Sequence, residues 1–140
     1  MAKHRYNEHL KNVPLFADLD DHELEVVSRM ATELDYDAGK VLLTEGGTAH
    51  EMFVVMEGTL EVTRGGEHIA DIGPGGFAGE MALLTHSHRN STVTAKTDTL
   101  VLHIDGRGFA SVLHEVPEVA VKMLPIIAAR AVAMSDDHTH

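Results

Sequence analysis

Thr59 to Ile72 reads TLEVTRGGEHIADI, and this stretch decides the fold. Thr59 to Arg64 and Glu67 to Ile72 have the composition of two short strands. Only Gly65 and Gly66 separate them, and a two-residue hairpin loop demands the positive φ angles that paired glycines tolerate. The stretch is therefore a β-hairpin.

The same texture extends outward in both directions. From Asp37 onward short apolar stretches alternate with glycine at intervals of about ten residues, the pattern of an all-β region. Lys40 to Thr44 and Met52 to Glu57 read as strands before the hairpin, set off by Gly46-Gly47 and Gly58. Gly73-Pro74-Gly75-Gly76 ends the run, and Thr92 to Ala95 and Thr99 to Ile104 resume it.

Helices flank this block. Asp20 with Glu23 three residues on has the form of an N-cap and its partner. Leu24, Val27, Met30, Ala31 and Leu34 follow at helical spacing, giving a helix from about Asp20 to Thr32. Leu15, Phe16 and Leu19 sit just upstream as an apolar cover. Past Gly106, Phe109, Val112 and Leu113 mark a short helix. Pro117 suits the first turn of a longer one carrying Val119, Ala120, Met123, Ile126, Ile127 and Arg130. Pro125 predicts a kink in it, and the final SDDHTH is expected to fray. The fold class is α+β: an antiparallel β-roll, jelly-roll-like, flanked by N- and C-terminal helices. It forms one domain over about residues 15–133, with 134–140 a flexible tail.

Composition narrows the function. Hydrophobic residues make up 44% and charged residues 24% of the 140, near globular averages. No apolar run approaches the ~20 residues of a membrane span. The absence of cysteine excludes disulfides, thiolate metal sites and a cysteine nucleophile, and fits a cytoplasmic protein. A formal charge of −11 is the wrong sign for sequence-independent nucleic-acid binding. An anionic ligand would have to be held by a local positive feature against that field.

Gly79 to Val93, GEMALLTHSHRNSTV, supplies such a feature. With GEMALL as a helical turn and a half, its first N–H groups have no internal acceptors and point at an anion. Gly79 lets the backbone approach the ligand. Arg89 can return to the same place, where its planar guanidinium bonds two phosphate oxygens. Glu80 repels a phosphate but suits a sugar hydroxyl, as an acidic residue does with a ribose in dinucleotide folds. Asn90 and Ser91 add donors, and Val62 and Leu84 are apolar neighbours that exclude water.

The segment resembles the phosphate-binding cassette of the cyclic nucleotide-binding domain family, and the likeness extends from LFADL at Leu15 to the helix after Pro117. The resemblance implies that Gly79, Glu80, Met81 and Ala82 line ribose and phosphate and that Arg89 binds the cyclic phosphate. It implies cyclic AMP as ligand, or cyclic GMP, with no catalysis. The helix from Pro117 would be a lid over the base, with Arg130 against the purine and Pro125 a hinge. The family pattern has an aromatic before Gly-Glu and a proline before the arginine, where this chain has Ala78 and His88; Ser91 replaces a common alanine. A histidine leaves the loop less rigid than proline would.

Two other classes stay open. One is an interaction module of the same fold without ligand. The other is a metal-dependent barrel enzyme of the cupin type, suggested by His86-x-His88, although Thr92 and Val93 stand where that motif has its glutamate. His103, in an apolar strand, reads as structural, and Met52, Met56, Met81 and Met123 read as core filler. With no DNA-binding module in view, the output would pass through an effector protein, self-association or a larger polypeptide of which this domain is a piece.

Overall fold

In a computed structural model, residues 10–11, 13–47, 51–79 and 90–139 are described, the side chains of 113 and 130–139 excepted. A 3-10 turn (Pro14–Phe16) leads into α1 (Asp21–Met30). The strands β1 (Ala31–Tyr36), β2 (Val41–Leu43), β3 (Glu51–Glu57), β4 (Leu60–Arg64), β5 (Glu67–Ile72), β6 (Phe77–Ala78), β7 (Thr92–Ala95) and β8 (Thr99–Asp105) follow. The chain then forms α2 (Gly106–Glu115) and α3 (Pro117–Thr139).

Two four-stranded antiparallel sheets make the roll, ordered β1-β8-β3-β6 and β2-β7-β4-β5. The β4–β5 hairpin closes on Gly65 and Gly66 at φ +59° and +84°, the left-handed pair that a two-residue type I′ turn uses. Its ladder pairs Leu60 with Ile72 and Arg64 with Glu67, with a bulge after Val62.

α1 begins as its sequence dictates. The Asp20 carboxylate accepts from Glu23 N at 2.8 Å while Glu23 Oε1 accepts from Asp20 N at 2.9 Å, a complete capping box. Leu19 and Leu24, at the flanking staple positions, both enter the core. The helix ends at Met30, short of the expected Thr32, and the chain passes straight into β1. Ala31 and Leu34 continue the helical spacing, yet pairing of residues 31–36 with β8 overrides it. The strand β6 was likewise not foreseen; it is two residues long and exists through pairing of Phe77 and Ala78 with Val54 and Phe53.

Among the described residues the apolar side chains form two cores. One lies between the helices and the first sheet, built from Leu15, Phe16, Leu24, Val27, Met52, Val54, Leu102, Ile104, Val119, Met123 and Ile127 among others. The other fills the roll, from Leu43, Phe53, Val55, Leu60, Val62, Ile72, Ala78, Val93, Ala95 and Val101. Leu15 and Phe16 thus do cover the apolar face beside α1. Met52 and Met123 are fully buried and Met56 packs against the first core; Met81 lies outside the described residues.

α3 runs through Pro125 and on to Thr139, across the residues expected to fray. It is fastened to α1 by charge as well as packing. Lys122 Nζ lies 2.6 Å from Glu23 Oε1, the same oxygen that caps α1. The hydrogen bond to Glu23 holds the Lys122 ammonium above its ordinary value, against an opposing desolvation effect, with the charges of Glu23, Asp20 and Asp18 adding to the rise.

Candidate functional site

The Gly79 to Val93 segment is strung between the two sheets. Upstream, the 73–76 turn is tied to β3 by Gly75 N to Val55 O and Val55 N to Gly76 O, each 2.8 Å. The short β6 then delivers the chain to Gly79, which is half-buried at φ +85°. That backbone conformation is one L side chains rarely adopt. The glycine is therefore required by the chain's own path, whatever approaches it.

Downstream, Asn90 and Ser91 form a bend that enters β7. Here β7 pairs with β4, Thr92 opposite Thr63 and Val93 opposite Val62. Val62 is buried inside the roll. Ser91 is 7% exposed, one of few buried polar groups among the described residues. Its Oγ donates to Asn90 Oδ1 at 3.2 Å.

Arg64 was not singled out from the sequence, and it is what holds this bend. Its Nε donates to Asn90 O at 3.0 Å and its Nη2 to Ser91 Oγ at 3.2 Å. Next to it, Gly65 N donates to Glu45 Oε1 at 3.0 Å, and Glu45 N donates to Thr92 Oγ1 at 3.0 Å. The β2–β3 connection, the hairpin tip and the start of β7 are thus laced into one rim. No local sequence pattern announces this, because the contact spans 26 residues and depends on strand register.

Glu80, Met81, Ala82 and Arg89 lie outside the described residues, as do Leu84, His86 and His88. Arg130 falls within α3, and its side chain is not described. Of the expected site, the structure brings Gly79, Val62, Asn90 and Ser91 to the two ends of one segment.

His103 is structural, as read. Its Nε2 lies 2.7 Å from Glu51 Oε2 and its ring packs on Phe53 at 5.4 Å, tilted by 57°. A potential ligand set for a metal is Glu61, His68 and Asp71, whose donor atoms lie within 4.8 Å of one another on the outer side of the hairpin. Lys96 Nζ already sits 3.0 Å from Asp71 Oδ2 and all these groups are open to water. The cluster reads as a surface ion-pair network.

Comparison with known proteins supports the same corner of fold space. The family model described as "Cyclic nucleotide-binding domain" matches residues 33–115. The cAMP-dependent protein kinase regulatory subunit of Yarrowia lipolytica is 34% identical over 110 residues, covering 77% of this chain and 29% of that protein. The catabolite activator protein of Thermus thermophilus superposes with a TM-score of 0.77 at 27% identity, over 88% of this chain and 60% of that one. A structure described as "cAMP bound PfPKA-R" reaches a TM-score of 0.85 at 21% identity, over 96% of this chain and 45% of that one, and shows the shared fold. The chain spans no more than 30% of the length of the first curated relatives it matches. Among the described residues no helix is long and apolar enough to cross a membrane.

Proposed function

Because the chain belongs to the cyclic nucleotide-binding domain family, we propose that it is a sensor for cyclic AMP, with cyclic GMP the competing ligand, and has no catalysis of its own. The observation that carries this reading is the anchoring of the Gly79 to Val93 segment. It leaves one sheet through a left-handed glycine and joins the other at a clamped bend. Across such a span, backbone donors after Gly79 and the Arg89 guanidinium would converge on the cyclic phosphate. Glu80 would accept from the ribose hydroxyl, Met81 and Ala82 would add backbone contacts, and Asn90 and Ser91 would close the corner. Val62 supplies a dry wall behind it. Two of the three proteins compared above carry cyclic AMP in their names, which favours adenine.

In this reading α3 is the moving part. It would cover the base, bringing Arg130 to the purine, and pass the change to an effector protein or a second copy in the cytoplasm. Its tie to α1 through Lys122 and Glu23 gives one arrangement a defined contact, so that nucleotide can shift a balance between two.

Thermal shift tests the reading. A ligand that binds only the folded chain adds ~2.7 kcal/mol of stability at a hundred times its Kd. At one fixed concentration, about a hundred times the wild-type Kd, stabilisation by cyclic AMP that is largely lost in Arg89→Ala is the expected result, with the weaker residual binding still open to titration. No shift with either cyclic nucleotide at millimolar concentration would replace the sensor with a ligand-independent interaction module, and a shift with divalent metal alone would point to the barrel-enzyme class.

A further inference from the structure

We propose that Arg64 is a positioning residue for ligand binding: its clamp on the Asn90 carbonyl and the Ser91 hydroxyl fixes the strand-side end of the segment that carries Arg89. The proposal rests on the cyclic-nucleotide reading above and adds to it a residue outside the segment.

Three observations carry it. First, the clamp is two-pronged, with Nε on a backbone carbonyl and Nη2 on a hydroxyl, both from one planar guanidinium. A fork of this kind fixes direction as well as distance, which a single ammonium does not. Second, its target is Asn90, the residue next to Arg89 in the chain. Restraining the Asn90 carbonyl restrains the backbone from which the Arg89 side chain departs. Third, Arg64 is itself held on a rigid element. It ends β4, pairs with Glu67 across the hairpin, and precedes Gly65, whose N–H is fixed by Glu45.

His88 stands where the family pattern has a proline before the arginine, and a histidine restrains its backbone less than proline does. An outside arginine achieves downstream what the missing proline would achieve upstream. Apparent affinity scales with the fraction of molecules in which the segment is already competent. Arg64 therefore acts on cyclic-nucleotide affinity through Arg89, without touching the ligand.

The test uses the full chain in four forms: wild type, Arg64→Ala, Arg64→Lys and Arg64→Ala/Arg89→Ala, with Arg89→Ala as reference. Two measurements are made on each. Hydrogen–deuterium exchange without nucleotide reads the clamp itself. Exchange at 90–93 should rise in Arg64→Ala and rise less in Arg64→Lys, which keeps one donor. Titration with cyclic AMP reads the consequence. Loss of a charge-assisted hydrogen-bonding partner should weaken binding by roughly tenfold or more, with Arg64→Lys recovering part. In the Arg89→Ala background the same change should weaken binding less than about twofold, because residues that act as one unit are not additive.

Unchanged exchange at 90–93 in Arg64→Ala overturns the clamp. Raised exchange with unchanged affinity overturns its role in binding. A full tenfold loss that persists without Arg89 overturns action through that arginine and makes Arg64 a ligand contact. If the wild type binds neither cyclic nucleotide, the sensor reading falls and with it the affinity claim, while the exchange data still decide the clamp. Should Arg64→Ala fail to fold, Arg64→Lys carries the same two measurements.

Discussion

The two sheets spend their faces differently. In β1-β8-β3-β6, Met52, Phe53, Val54 and Val55 run consecutively with at most 1% exposure. Met52 and Val54 feed the core beneath the helices, while Phe53 and Val55 fill the roll. In β2-β7-β4-β5 the pattern alternates: Leu60, Val62, Val93 and Ala95 are buried, while Glu61, Thr63, Thr92 and Thr94 are half-exposed. One sheet is a wall packed on both sides and the other is a wall with a free outer face. The rim that receives Asn90 and Ser91 belongs to the second sheet.

Substitution tests that division most severely. Phe53→Ala should cost about 3–5 kcal/mol, since a large ring leaves a cavity that its neighbours cannot fill. Its neighbours are the Tyr36 ring at 6.1 Å and the His103 ring at 5.4 Å. Thr94→Ala on the other sheet should stay within about 0.5 kcal/mol. Urea melts of the two variants against wild type would show the gap, and equal losses would mean that the second sheet is buried on both faces as well.

A smaller effect is expected where the helices lock onto the first sheet. Glu23→Ala removes one half of the capping box, worth about 1 kcal/mol, and also the partner of Lys122. Glu23→Gln keeps an acceptor for the cap and removes only the charge, so the stability it loses belongs to the tie with α3 and to the favourable place of that charge in the first turn of α1. That tie has a pH signature. The Lys122 value is raised by folding, so its contribution is fully present below the ordinary lysine range and is lost as pH rises through the higher folded value. The difference between wild type and Glu23→Gln should therefore hold at neutral pH and narrow as alkali carries the pH through the folded Lys122 value. A difference that narrows near pH 7 would assign the stabilisation to some other group.

How much of this was legible in the sequence follows from how local each cause is. The hairpin at Gly65-Gly66 and the capping box at Asp20 and Glu23 are complete within four or five residues, and both appear as read. Gly79 also showed itself, and its φ of +85° gives a backbone reason for the glycine that is independent of any ligand's approach. By contrast, β1 hides behind Ala31 and Leu34, which keep helical spacing until β8 claims them. The strand β6 is two residues with no pattern to find. The clamp from Arg64 to Asn90 and the tie from Lys122 to Glu23 join positions 26 and 99 residues apart. Such contacts follow from register and packing, so composition and spacing do not announce them.

The smallest effect lies at the end of the two-sided sheet, where burial meets a titrating group. Tyr36 faces the inside of the roll beside Phe53. Burial pushes its phenol above the ordinary value of 10.0, and the nearby Glu51 charge pushes it further. Because the folded value is the higher one, stability is whole below the ordinary phenol value and declines as pH rises through the folded value of Tyr36. The chain has two tyrosines, so the difference between wild-type and Tyr36→Phe absorbance titrations isolates this one. Glu51→Gln should lower the midpoint only in part, since burial is the larger cause and survives the substitution. A Tyr36 that titrates like a free phenol would mean that water reaches the inside of the roll at this end, and the contrast between a sealed sheet and an open one would then hold only in the middle of the strands.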